Sequence, residues 1–347
     1  MKASAMRRLN RNRDNAIELT AMGFGAAPLG NLYKEMSDAD AAATLNAAID
    51  SGLRYFDTAP FYGLGLSETR VGNTLADVKH TTISTKVGRV LSDCHPNEAT
   101  PEMFVNVPSR KVAFDYSYDG IMRSFSASLK RLRGLQPSIL LIHDIDPGTH
   151  GQKASEAHMH DLFHRGGYRA LDELRSSGDI VAFGAGVNDW NICEKLMDQG
   201  DFDTFLLAGR YTLLEQEALD SFLPRCETND VGIILGGPYN SGILATGAVP
   251  GARYNYELAP PEILDRVAKI EAICRDHSVP LIAAALQFVM GHPAIRSVIP
   301  GARTPDEIST NVALFDTFIP DTLWRDLQSA ALIRADAPLP KDIDNAA

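Results

Sequence analysis

Apolar strand-like runs and helix-like runs alternate along almost the whole chain, and that alternation restricts the fold more than any other feature. The strand runs are AIEL with TAMGFGAA, LRYFDT, TTISTKV, SILLIHD, IVAFGAGV, DTFLLA, GIILGG and SVIPG. Helix-like runs such as ADAAATLNAAIDSG, DGIMRSFSASLKRLRG and TPDEISTNVALF separate them, with apolar residues near helical spacing. Alternation of this kind specifies a parallel sheet, and uninterrupted apolar strands such as ILLI, IILG and VAFG are buried on both faces. Eight strand–helix pairs in about 300 residues fit a closed (β/α)8 TIM barrel better than an open sheet. No repeat, linker or low-complexity tract divides the sequence, so residues 1–347 read as a single α/β domain. A β-hairpin is expected ahead of the barrel and an extra helix, DTLWRDLQSAAL, after it. Local signals mark some boundaries. Gly52 ends the first helix, Ser67 caps the second with Glu68 in its first turn, and Thr304 caps another with Pro305 at its first position.

Two stretches break the rhythm. Residues 89–118 and residues 144–167 read as long irregular loops, each leaving the carboxyl end of a strand, the face on which barrels build their sites. Loops beyond about 12–15 residues are uncommon unless functional, so both are expected to wall a substrate pocket. A net charge of −11 disfavours nucleic acid and favours neutral or cationic small molecules. Nowhere does an apolar run reach the ~18 residues of a membrane helix. Cys94, Cys193, Cys226 and Cys274 form no Cys-x-x-Cys pair and read as idle thiols in a reducing compartment. The basic opening run MKASAMRRLNRNR lacks the apolar stretch of a secretory leader. These features predict a soluble cytoplasmic protein, monomeric or a small homo-oligomer, that acts on small molecules.

Four polar residues stand where apolar strands end: Asp57 and Tyr62 in YFDTAPFYG, Lys86 in TTISTKVG and His143 in SILLIHD. A phenol is a poor acid or base near neutrality, with a reference pKa near 10. An adjacent ammonium lowers that value, and a carboxylate keeps the ammonium charged. An imidazole supplies a donor for a carbonyl or hydroxyl oxygen. Singly, each residue has a plain structural reading as a turn cap, a rim aromatic, a snorkelling lysine or a core histidine. After three consecutive strands, they read as a proton-transfer site. Lys86 as a Schiff-base nucleophile is a competing reading, opposed by the neighbouring Asp57.

These motifs, with IPGAR and a following Asn near the end, resemble the aldo-keto reductase superfamily from Gly23 to about Asn311. FDTAPFYGLGLSE, FDYSYDG and LLIHDID are similar to the branch of D-threo-aldose (L-fucose) 1-dehydrogenases and pyridoxal 4-dehydrogenases. The resemblance implies that Tyr62 is the general acid/base, tuned by Lys86 and Asp57, while His143 orients the substrate oxygen. It implies an NAD(P)-dependent oxidoreductase that oxidises an aldose hemiacetal at C1 to the lactone. Pyridoxal oxidation to 4-pyridoxolactone, general aldehyde or ketone reduction, and a non-catalytic regulatory protein that keeps the fold are the alternatives.

A nicotinamide cofactor across the barrel mouth is implied too. Its contacts would come from Gly25, Asp57, Asn188, the loop residues Gly237, Pro238, Asn240, Ser241 and Gly242, and Gly301, Ala302, Arg303, Glu307 and Asn311. Several positions depart from the family pattern. Ser-Asn after the fifth strand is GAGVND here, the usual Gln aligns near Ala208 with Arg210 as the only replacement, and the stacking Tyr aligns with Gly236, leaving Tyr239 as a substitute. Gly301 and Glu307 stand where NADP-preferring relatives carry Lys and Arg. A carboxylate repels a 2′-phosphate and accepts hydrogen bonds from ribose hydroxyls, so NAD is expected over NADP; Arg303 still has the charge to reach a phosphate. Amides of Gly301 and Ala302 suit phosphate, and Asn311 is expected to face the adenine. Phe61 and Trp190 are candidates to line a sugar pocket. The glycines of GFGAAPLG have the wrong spacing for a Rossmann loop and read as a tight strand exit. His158, His160 and His164 read as a solvated loop, since no Cys or placed carboxylate completes a zinc set.

Overall fold

The computed structural model describes residues 1–10 and 17–340. Eight parallel strands form one sheet: β1 (Phe24–Gly25), β2 (Tyr55–Asp57), β3 (Thr82–Val87), β4 (Ile139–His143), β5 (Ala182–Val187), β6 (Thr204–Ala208), β7 (Gly232–Gly236) and β8 (Ile295–Ile299). Parallel bridges Met22↔Val298 and Gly25↔Gly301 bring the first and last strands together. The result is the (β/α)8 barrel the alternation predicts. Its seam is tight: a Cβ on Gly25 would lie 2.9 Å from the Ile299 carbonyl oxygen.

Surrounding helices are α1 (Asp38–Asp50), α2 (Leu66–Leu75), α3 (Tyr118–Arg131), α4 (Gln152–His164), α5 (Gly167–Ser177), α6 (Trp190–Met197), α7 (Phe222–Thr228), α8 (Pro261–Asp276), α9 (Leu281–Phe288) and α10 (Pro305–Phe315), with α11 (Asp321–Ser329) as the extra one. Period two sends alternate strand residues to two cores. Phe56, Ile83, Leu140, Ile142 and Phe183 meet the helices, while Tyr55, Ile139, Leu141, Leu206, Ile234 and Ile299 fill the barrel. The expected hairpin pairs Met6–Arg8 with Glu18–Thr20, and its Leu9, Ile17 and Leu19 join the inner core. Residues 11–13 of the basic opening run lie outside the described residues.

Three local readings are corrected. Gly65 at φ 92, not Ser67, precedes α2, and Ser67 Oγ instead donates to the Ala26 carbonyl at 2.7 Å; Glu68 does lie in the first turn, buried against Arg131 at 2.6 Å. Residues 89–118 are only partly irregular, because Arg89–Asp93 and Arg110–Phe114 form an antiparallel hairpin on either side of a long connection. Residues 144–167 hold the short helix Pro147–His150 and then α4, so His158, His160 and His164 sit on a helix. Its buried Ser155, Met159 and Leu162 supply the inward face that makes it helical. Thr304 does cap α10, accepting from the Glu307 amide at 3.1 Å. All four cysteines are free. No described helix is long and apolar enough to cross a membrane.

Candidate active site

Strand register assembles the four polar residues. Asp57 lies opposite Ser84, Lys86 opposite Leu141, and His143 opposite Gly186. Since side chains two apart share a face, Tyr55 and Asp57, Ser84 and Lys86, and Leu141 and His143 all point into the barrel, with the second of each pair nearer its carboxyl end. Tyr62 comes from the turn beyond β2. Backbone there packs on the loop after β1: a Cβ on Gly30 would meet the Tyr62 carbonyl carbon at 2.5 Å, and one on Gly63 the Gly30 carbonyl oxygen at 2.4 Å. Only glycines allow this approach, and it fixes where Tyr62 emerges.

A continuous chain of hydrogen bonds results. Lys86 Nζ is 2.7 Å from Asp57 Oδ2, 2.9 Å from the Thr58 carbonyl and 3.1 Å from Tyr62 Oη. Ser84 Oγ donates to Asp57 Oδ1 at 2.7 Å and meets Tyr55 Oη at 2.8 Å. Lys86 and Asp57 are almost fully buried, at 1% and 2% exposure, so each needs the other. Burial pulls the Lys86 ammonium down, but Asp57 and Tyr62 outweigh it and hold the pKa above the ordinary lysine value. A lysine kept charged is a poor Schiff-base nucleophile. Tyr62 departs from expectation: burial pushes its phenol up to about 12, Lys86 only partly pulls it back, and Asp57 pushes it up again. Enclosure outweighs the ammonium, so the resting phenol carries its proton.

His143 faces Tyr62 edge-to-face, ring centroids 5.9 Å apart. Burial first, then Arg89 and Lys86, push its pKa well below the ordinary 6.5, so the ring is neutral at pH 7. Asp144 Oδ2 stands 3.3 Å from Nε2, favouring a proton on that nitrogen; Nδ1 is buried without a hydrogen-bond partner. These residues open on a cavity of about 780 Å3, walled by Phe61, Phe104, Arg89, Phe114 and Asp144. Both stretches first read as loops contribute to that wall. Trp190 does not: it lines an adjoining hollow with Asn188, Arg210 and Tyr256. Among the described residues no group of three or more His, Cys, Asp or Glu is placed to hold a metal.

The profile of the Aldo/keto reductase family matches residues 21–331. The chain belongs to this family. A pyridoxal 4-dehydrogenase from Microbacterium luteolum is 41% identical over 343 residues, covering 96% of this chain and 99% of that protein. A D-threo-aldose 1-dehydrogenase from Pseudomonas sp. is 37% identical over 324 residues, covering 91% and 95%. The holo form of an aldo-keto reductase from Bacillus halodurans shares the fold, with a TM-score of 0.72 at 21% identity over 95% of this chain and 97% of that one. This aldo-keto reductase is therefore an oxidoreductase, and its family works with NAD or NADP.

The residues present fit such a cofactor. The volume lies in the upper part of the ~300–1,000 Å3 range of ligand sites. Its floor is made of Gly186 and Ala208, small residues at strand tops, and it runs on past Asn188, Gly237, Pro238, Ser241 and Gly242 to Gly301. A Cβ on Gly186 would lie 3.1 Å from Lys86 Cε, so glycine keeps both the lysine stem and the floor clear. Other sequence candidates have different partners. Gly25 closes the barrel seam. Asn240 is buried, accepting from Thr212 Oγ1 at 2.5 Å and donating to the Gly209 carbonyl at 3.1 Å. Ala302 packs in the core, which leaves its backbone to meet a ligand. Asn311 Oδ1 is held by Tyr239 Oη at 2.9 Å. Arg303 is committed too: its guanidinium donates to the carbonyls of Leu32, Lys34 and Glu35 at 3.0, 2.7 and 3.1 Å. Exposed Glu307 accepts from the Arg303 amide at 2.7 Å, which stations its carboxylate at the start of α10.

Sequence reasoning missed Ser84, Tyr55, Arg89 and Asp144. The first two were discoverable, since each precedes a named residue by two and so shares its face. Arg89 and Asp144 carried only their position just past a strand end.

Proposed function

We propose that this aldo-keto reductase oxidises a cyclic hemiacetal to its lactone with NAD, and that Tyr62 takes the hydroxyl proton. One observation carries the reading: Tyr62 Oη is 3.1 Å from a buried ammonium that Asp57 holds at 2.7 Å. His143 Nε2–H, beside Tyr62, holds the reacting oxygen. Tyr62 takes the hydroxyl proton as its phenolate and becomes the neutral phenol. The Lys86 ammonium, kept cationic throughout by Asp57, stabilises that phenolate without itself gaining or losing a proton. Bound nicotinamide supplies the hydride acceptor. The names of the two relatives favour this substrate class, because an aldose and pyridoxal both close an internal hydroxyl onto a carbonyl to give a hemiacetal. An aldose such as L-fucose is the first reading. Pyridoxal is the second, favoured by the phenylalanine wall of Phe61, Phe104 and Phe114, which suits a flat pyridine ring. NADH formation with L-fucose, D-arabinose and pyridoxal tests both; no turnover on any of the three rejects the class.

Cofactor choice follows from α10. With Arg303 already committed to three carbonyls and Glu307 stationed nearby, a 2′-phosphate meets a negative charge and no available guanidinium. NAD is expected to exceed NADP in kcat/KM by at least ~10-fold, the scale of a like-charge contact, and Glu307→Gln to narrow the gap. An NADP preference in the parent enzyme rejects this.

The pH dependence has a definite sign. Reduction needs the phenol protonated, and a pKa near 12 secures that across neutral pH. Oxidation needs the phenolate, whose fraction rises about tenfold per pH unit below the pKa. Carbonyl reduction is therefore expected to be flat from about pH 6 to 9, and hemiacetal oxidation to climb over the same interval. Oxidation that is level across this range removes Tyr62 as the base.

A further inference from the structure

Arg89 holds a place in the cavity that the proton relay does not use. It opens the hairpin after β3, is 5% exposed, and its guanidinium lies 3.9 Å from the centre of the Phe61 ring and 5.0 Å from that of Phe114. Nη2 donates to Asp144 Oδ2 at 2.6 Å. Glu102 stands 4.0 Å from Nη1, beyond hydrogen-bond reach. Nε and Nη1 are buried without a hydrogen-bond partner. Leaving two donors of a cation unmet inside a protein is unfavourable, and the guanidinium fork is shaped to receive oxygen acceptors. Asp144 is held at φ 47, a left-handed conformation that non-glycine residues adopt at a cost and that clusters at ligand sites. Arg89, Asp144, Tyr62 and His143 all line the one cavity.

We propose that Arg89 is the specificity-determining residue of this site: through Nε and Nη1 it receives an oxygen carried next to the reacting centre, an aldose 2-hydroxyl or the phenolic oxygen of a hydroxypyridine aldehyde. The inference rests on the hemiacetal reading above. Stacking on Phe61 keeps the guanidinium flat and dry, and Asp144 offsets its charge. The receptor is thus matched to a neutral or singly charged oxygen rather than to a phosphate.

The test crosses substrate with residue. Arg89→Lys keeps a cation for Asp144 while removing the two-donor edge. Wild type and variant are compared on L-fucose against 2-deoxy-L-fucose, and on pyridoxal against 3-O-methylpyridoxal, with melting followed by circular dichroism. The variant is expected to raise KM roughly 10- to 100-fold on a parent that the wild type oxidises, as for a lost hydrogen bond to a charged group, and to change KM little on its analogue. The pair showing this difference identifies which oxygen is read. Equal rises on parent and analogue, or no rise, overturn the proposal. Should the variant not fold, Arg89→Gln combined with Asp144→Asn removes both charges together and carries the same comparison. If the wild type oxidises neither parent, the hemiacetal reading fails separately. Calorimetric binding of pyridoxine against 3-O-methylpyridoxine then decides Arg89: loss of binding on methylation in wild type but not in Arg89→Lys supports it, and any other pattern rejects it.

Discussion

Tyr62→Phe is expected to lower kcat by about 10²–10⁴, the usual contribution of a placed general acid or base, or roughly 3–5 kcal/mol of barrier. The substitution removes one atom and little structure. Lys86 Nζ keeps Asp57 Oδ2 at 2.7 Å and the Thr58 carbonyl at 2.9 Å, so two of its three partners survive. The phenyl ring stays against Phe104 and His143, with centroids 6.3 and 5.9 Å away. Cofactor affinity, measured by quenching of protein fluorescence, should be nearly unchanged, and so should the melting temperature. A variant that turns over within a factor of about three of wild type contradicts the assigned role. Removing one proton relay is thus separable from unfolding the site.

Much of this site was legible because its logic is that of the strand. Asp57, Lys86 and His143 end apolar runs, and a period of two decides that they point inward with Tyr55, Ser84 and Leu141 beneath them. Eight alternating units in about 300 residues then favour a closed barrel over an open sheet, since either buries both strand faces but the count of eight matches the barrel. The hairpin Arg89–Asp93 with Arg110–Phe114 was not legible, since its strands are joined by a long connection and lack the two-residue turn that marks a hairpin in sequence. Helix α4 was hidden by its own polar residues, which face solvent around a narrow buried stripe. Arg303 shows the limit most clearly. Its sequence position suggested a phosphate ligand, yet the carbonyls that claim it lie about 270 residues away in the chain, and no local pattern encodes that encounter. The same holds for Arg89 with Asp144. Tyr62 failed in another way: the ammonium's pull was foreseen, but the larger effect of enclosure was not, because burial is a property of the assembled barrel.

Lys86→Met tests the buried pair itself, and its largest effect is on stability. Methionine fills much of the lysine stem's volume, so packing against Gly186 is kept while the charge is lost. Asp57, 2% exposed, is then a carboxylate without its cation. Removing one partner of a buried ion pair costs about 3–5 kcal/mol. With an unfolding entropy of roughly 2.1 cal/mol/K per residue, that is a fall in Tm of about 4–7 °C for a chain of this length. The loss should also depend on pH, with a sign that follows from Asp57. Burial pushes its carboxyl up and Lys86 opposes that push; without Lys86 the folded-state value rises further above the unfolded one. A group whose folded pKa is raised adds stability below its unfolded pKa and loses it as pH climbs through the folded value. The variant's deficit against wild type should therefore be small near pH 4 and grow toward neutrality. Thermal unfolding of both proteins across that interval measures it directly. A deficit that is constant with pH, or largest in acid, would mean that Asp57 does not depend on Lys86 for its charge, and the electrostatic basis for Tyr62 would go with it.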